Sequence, residues 1–153
     1  MKILFLHGLE SLPGGSKVKF LENNGYEVIN PLLPKHSWED SVETAQTLID
    51  SEKPDVIVGS SRGGAVALNV NPYGAKLVLI APAWKAYGAM LEYFDSSTII
   101  IHCSEDKIVD YFDSEILRNA TGGTLVTSGK DHRMKDPAAL EAILTAVKQC
   151  TSS

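Results

Sequence analysis

The segment Asp55-Val56-Ile57-Val58-Gly59-Ser60-Ser61-Arg62-Gly63-Gly64 passes from an apolar run through Gly-x-Ser-x-Gly into the small-residue stretch Ala65-Val66-Ala67-Leu68. A serine held at a sharp strand-to-helix turn can attack a carbonyl, and such a turn closes only when the residues two before and two after it are small. Gly59 and Gly63 meet that condition around Ser61. The bare pattern arises by chance in roughly one chain in twenty of this length, but a strand directly before it and a helix directly after make it specific. Ser60 is the weaker nucleophile candidate, because Val58 and Arg62 would then fill the crowded flanking positions.

A serine hydroxyl needs a base to take its proton and an acid to orient that base. His132 lies between the last apolar run and the last helical segment, at the end of the sheet where open α/β folds place their ligands. His36 reads as a solvated loop histidine, His102 as a packed or hydrogen-bonded histidine at the end of its strand, and Cys103 as a small buried hydrophobe. Glu105, Asp106 and Asp110 compete for the acid. The three-residue offset from the strand end favours Asp106 and leaves Asp110 as a helix cap. The order Ser, Asp, His then follows. His7-Gly8-Leu9 ends the first run, and a bend at Gly8 lets the Leu9 N–H join that of Arg62 as an oxyanion hole. The Arg62 side chain either meets an anionic substrate group or, more commonly for a helix-start arginine, stays exposed without a partner. His7, Arg62, Trp84 and Tyr87 are the candidate substrate-binding residues. Gly14-Gly15-Ser16-Lys17 invites a phosphate reading but lacks the Gly-Lys-Ser/Thr order of a P-loop, so nucleotide binding is disfavoured.

The elements that must position these groups are legible as alternation. Short apolar runs at 3–6, 26–30, 56–59, 76–81, 98–102 and 124–127 read as strands, and segments 16–24, 38–51, 63–70, 84–94, 110–119 and 137–149 have helical spacing. Because the runs are continuously apolar, both sheet faces must be covered, which implies parallel strands and crossover helices in a doubly wound α/β fold. Asp136-Pro137 marks a helix start. No linker or repeat interrupts the pattern, so residues 1–150 are expected to form one domain with a frayed tail at 151–153.

The 153 residues carry 14 Lys plus Arg against 19 Asp plus Glu, a net charge of −5 that makes nucleic acid an unsuitable default partner. Two cysteines without CxxC or Cys/His spacing suggest neither a disulfide framework nor a zinc site. The first apolar run is too short for a signal peptide, and no stretch approaches the roughly 18 apolar residues of a membrane span. A cytoplasmic protein with no membrane partner is expected.

Leu6-His7-Gly8, the Gly59-to-Gly64 elbow, Asp106-Lys107-Ile108-Val109 and Asp131-His132 together resemble the α/β-hydrolase superfamily. Within it, Gly59 to Gly64 and Asp131-His132-Arg133 resemble the small bacterial YqiA-type esterases. The resemblance implies a three-layer sandwich lacking the family's first two strands, with six parallel strands ordered 4-3-5-6-7-8. Only Pro82 to Ser96 fills the interval where many relatives carry a cap, so no cap domain is expected. Trp84, Tyr87, Leu91 and Phe94 there fall at helical spacing and serve as core or as an acyl-chain wall. The expected function is a cofactor-free, metal-free serine hydrolase acting on small acyl esters or thioesters. The alternative is a non-catalytic binding or interaction module that keeps the elbow as a rigid turn. The sequence leaves the oligomeric state open.

Overall fold

A computed structural model describes residues 1–9 and 11–152 of the chain. Six strands, β1 (Lys2–Leu6), β2 (Glu27–Ile29), β3 (Val56–Ser60), β4 (Lys76–Ile80), β5 (Ile99–His102) and β6 (Thr124–Thr127), form one sheet in the order β2-β1-β3-β4-β5-β6. Every neighbouring pair is parallel. With two family strands absent at the start, this is the expected 4-3-5-6-7-8 order in the numbering of this chain. The central strands pair over their whole length, Val56 with Lys76 through Ser60 with Ile80.

Alternate side chains on each strand feed two separate cores, which is why the runs had to be apolar throughout. Ile3, Phe5, Val56, Val58, Val78, Ile80, Ile99 and Ile101 point to one face and pack with α1 (Ser16–Asn23) and α6 (Pro137–Thr151). Leu4, Leu6, Ile57, Leu77, Leu79 and Ile100 point to the other, beneath α2 (Trp38–Glu52), α3 (Arg62–Ala67) and α5 (Tyr111–Thr121). Helix starts follow the local chemistry. Ser37, Asp110 and Asp136 accept hydrogen bonds from the Asp40, Phe112 and Ala139 N–H groups.

Two expectations need revision. Residues 84–94 are not one helix: α4 is a single turn (Trp84–Tyr87), ended by Gly88 at φ 89°, and a short 3₁₀ turn follows at Leu91–Tyr93. Glycine tolerates that left-handed backbone and breaks the periodic stretch there. No cap domain fills this interval. At the C-terminus α6 runs through Thr151, one residue into the expected tail, while Ser153 lies outside the described residues. No described helix is long and apolar enough to cross a membrane.

Candidate active site

Ser61 sits between β3 and α3 with φ 55° and ψ −116°, a conformation that costs of order 1–3 kcal/mol and survives only where its surroundings enforce it. Here the enforcement comes from glycine. A Cβ on Gly63 would lie 2.0 Å from the Leu6 carbonyl oxygen, and one on Gly59 would lie 2.6 Å from the Gly63 oxygen. A Cβ on Gly64 would press to 2.9 Å from Pro82. The turn is therefore wedged between the ends of β1, β3 and β4. The Ser61 N–H donates to the Ile80 carbonyl, and the Ser61 carbonyl accepts from Ala83.

Three side chains from distant parts of the chain meet at this turn. The Ser61 hydroxyl is 3.0 Å from His132 Nε2, and His132 Nδ1 is 2.6 Å from Asp106 Oδ2. An ionised carboxylate only accepts, so Nδ1 carries the ring proton and Nε2 is left to accept from the hydroxyl. Asp106, its side chain shielded from solvent, follows β5. Its Oδ1 accepts from the Ile108 and Val109 N–H groups at 2.7 and 2.9 Å. Burial by itself would raise its pKa; the Val109, His132 and Ile108 hydrogen bonds outweigh it and hold the carboxyl below the usual 3.8. Glu105 is exposed, and Asp110 caps α5.

His132 belongs to the β6–α6 loop, which is pinned at several points. Asp131 accepts from the Arg133 N–H at 3.0 Å, Asp136 accepts from Lys130 at 3.1 Å, and the Lys17 ammonium donates to the Arg133 carbonyl at 2.6 Å. Met134, buried at φ 54°, packs under Gly129.

His102 is packed and hydrogen-bonded, as expected, but the sequence does not single out its partner, Asp106. Fully buried at the end of β5, its Nε2 lies 3.0 Å from the same Asp106 Oδ2 that His132 engages, and 3.1 Å from the Val109 carbonyl. Its Nδ1 is 2.6 Å from the Ser114 hydroxyl. Burial lowers its pKa, against the opposing pull of Asp106, so the ring stays neutral with its proton on Nε2 and Ser114 donates to Nδ1. The four-residue spacing of His102 and Asp106 was the available signal. Cys103 is buried in the core and His36 exposed, as the sequence suggests.

The loop after β1 crosses directly over the elbow. A Cβ on Gly8 would stand 3.3 Å from Ser61 Cβ and 3.4 Å from the Ser60 carbonyl, so Leu9 follows at the rim of the turn. Leu9 and Arg62 both border the cleft of about 780 Å³ that holds Ser61 and His132. Tyr87, Ile108 and Val109 give it an apolar wall.

Three substrate-binding expectations are corrected. His7 is buried with both ring nitrogens occupied: Nδ1 donates to the Gly8 carbonyl at 2.7 Å, and Nε2 accepts from Leu33 at 3.0 Å. Trp84 donates its indole N–H to the Asp113 carbonyl at 2.8 Å and packs against the core, outside the cleft lining. The Arg62 side chain is neither exposed nor available to an anion. It is 4% exposed, its guanidinium donates to the Pro34 and Ser37 carbonyls at 3.1 and 3.4 Å, and it lies 5.6 and 5.9 Å from the stacked Trp38 and Tyr87 rings.

A parallel sheet in this order, with a strained serine at the end of its central strand, defines the α/β-hydrolase fold, and solved structures agree. A protein of Agrobacterium vitis S4 superposes with a TM-score of 0.77 at 18% identity, over 97% of this chain and 87% of its own. An α/β hydrolase from the metagenome of Mar Chica lagoon sediment gives 0.75 at 17%, over 97% and 89%. The esterase domain of a Rhodothermus marinus protein gives 0.70 at 16%, over 95% and 82%. No curated protein sequence matches the chain significantly. Residues 2–100, which include the elbow, match the uncharacterised protein family UPF0227, and the chain belongs to that family.

Proposed function

We propose that the chain is a serine hydrolase of esterase type, with Ser61 as nucleophile, His132 as general base and Asp106 as the orienting acid. The observation that carries this reading is the continuous hydrogen-bonded line from the Ser61 hydroxyl through both His132 nitrogens to Asp106. As the hydroxyl attacks an acyl carbonyl, its proton passes to His132 Nε2, and Asp106 stabilises the imidazolium so formed. The Leu9 and Arg62 N–H groups receive the oxyanion, each worth about 3 kcal/mol if well aimed. His132 then protonates the leaving group, and a water molecule activated by the same nitrogen releases the acid from Ser61.

An uncapped cleft with a short apolar wall favours small acyl groups in ester or thioester linkage. Long chains would gain about 0.8 kcal/mol per methylene only where they could be buried. A p-nitrophenyl ester series on wild type and Ser61→Ala tests both points. Hydrolysis confined to wild type and peaking below about eight carbons supports the reading; activity that survives in Ser61→Ala defeats it. Labelling by a fluorophosphonate separates an activated serine from a rigid turn in a binding module, which would not react.

A further inference from the structure

Besides Arg62, four cationic residues, Lys17, Lys85, Arg133 and Lys135, border the cleft of Ser61, although the chain as a whole carries five more acids than bases. The two carboxylates in the same wall are already engaged. Asp110 accepts from the Phe112 N–H at the start of α5, and Asp113 pairs with Lys85 at 3.5 Å. Among the described residues neither Lys17, Arg133 nor Lys135 forms an ion pair.

Lys17 is the best placed of the three. Its ammonium reaches the Arg133 carbonyl, one residue beyond His132, and that bond uses one of its three N–H donors. Lys17 and Lys135 also border an adjoining recess of about 300 Å³, with Gly8, Ser11, Asn30 and Ser60. The two lysines thus line both the recess and the cleft of Ser61. Burial is the larger influence on Lys17, Lys135 adds to it and Asp131 opposes it, and together they bring its pKa down to about 8. A negative charge bound between the two lysines would counter both the burial and the Lys135 charge.

We propose that Lys17 and Lys135, flanked by Arg133, form an anion subsite beside Ser61 that receives a negatively charged group carried by the ester substrate. The inference rests on the serine-hydrolase reading and narrows it from neutral acyl esters to acidic ones. It also transfers to these lysines the anion-binding part that Arg62, committed to protein carbonyls, cannot play. The charge can sit on the acyl half or on the leaving group, and matched ester pairs distinguish the two. p-Nitrophenyl hemiglutarate against p-nitrophenyl valerate probes the acyl side; 4-acetoxybenzoate against phenyl acetate probes the leaving group.

In at least one pair, wild type should favour the charged member by about tenfold in kcat/KM, chiefly through KM, and added salt should erode the preference. Lys135→Glu should cut that ratio at least fivefold, and so should Lys17→Met. Lys135→Glu leaves the tie between Lys17 and Arg133 in place, so its effect separates charge recognition from loop anchoring. Indifference to charge in both pairs, or a ratio unchanged in both variants, overturns the inference while leaving ester hydrolysis standing. Should no ester be cleaved and Ser61 resist fluorophosphonate, the hydrolase reading fails by itself. The subsite is then judged by whether glutarate raises Tm above sodium chloride of equal ionic strength in wild type but not in a variant combining Lys17→Met with Lys135→Glu. No such difference defeats the subsite as well.

Discussion

His102 and His132 share one oxygen, Oδ2 of Asp106, approaching it at 3.0 and 2.6 Å. The two imidazoles play different parts. His132 is partly exposed and borders the cleft, whereas His102 is sealed in the core with its other nitrogen on Ser114. With Ile108 and Val109 holding Oδ1, the carboxylate is gripped on both oxygens and presents a fixed face to His132.

His102 should therefore act as a positioning residue. Replacement by Leu removes a donor to a buried charge, worth about 1.5–3 kcal/mol, and should lower kcat/KM on a neutral ester by tenfold or more. His102→Gln, whose Nε2 can reach the same oxygen, should recover much of the loss. The acidic limb of the pH–rate profile should shift in the Leu variant and return in the Gln variant. Equal loss in both with unchanged profiles would leave His102 a packing residue only.

Stability should fall on acidification in two stages. Burial holds His102 below its ordinary 6.5 in the folded state, so the unfolded chain takes up that proton first. Stability from this group is complete above pH 6.5 and declines below it by about 1.4 kcal/mol per pH unit until the folded ring protonates. Asp106, depressed below 3.8, adds stability present above that value and lost as pH drops through its folded pKa. Urea midpoints from pH 8 to pH 4 should show the first decline in wild type and a shallower one in His102→Gln.

The elbow tolerates almost nothing at Gly63, where a methyl group would overlap the Leu6 carbonyl. Gly63→Ala should cost about 3 kcal/mol or more, or prevent folding, as read from urea unfolding. Ser61→Ala removes no packing on that scale. It should keep the wild-type Tm within a few degrees while kcat falls by about four orders of magnitude or more.

Preference for an acidic substrate should itself depend on pH. Burial, joined by Lys135 and opposed by Asp131, brings the Lys17 pKa down to about 8, so its positive charge should fade as pH rises through that value. The ratio of charged to neutral ester turnover should fall several-fold as it does. In Lys17→Met the ratio should be low and flat.

Much of this arrangement can be read from the chain because it depends on local pattern. Continuous apolar runs mark strands covered on both faces, and Gly59-x-Ser61-x-Gly63 marks a turn that larger residues would block. Asp136 before Pro137 marks a helix start for the same local reason. Tertiary placement was harder to foresee. The periodicity of Trp84, Tyr87, Leu91 and Phe94 overrode the break at Gly88, because spacing alone does not register a left-handed backbone. Arg62 follows the elbow in sequence, yet its side chain is claimed by carbonyls some 25 residues away. Lys17 and Arg133, 116 positions apart, meet only because α1 and the β6–α6 loop pack side by side.

The Arg62 clamp has a consequence for how the chain could diversify. Its guanidinium fastens the residue after Ser61 to Pro34 and Ser37, at the entrance to α2, and to the paired rings of Trp38 and Tyr87. A lengthened loop ahead of α2, or loss of either ring, would loosen the backbone amide beside Ser61 without disturbing a single strand. Drift in that loop would then re-aim the elbow while leaving the scaffold intact.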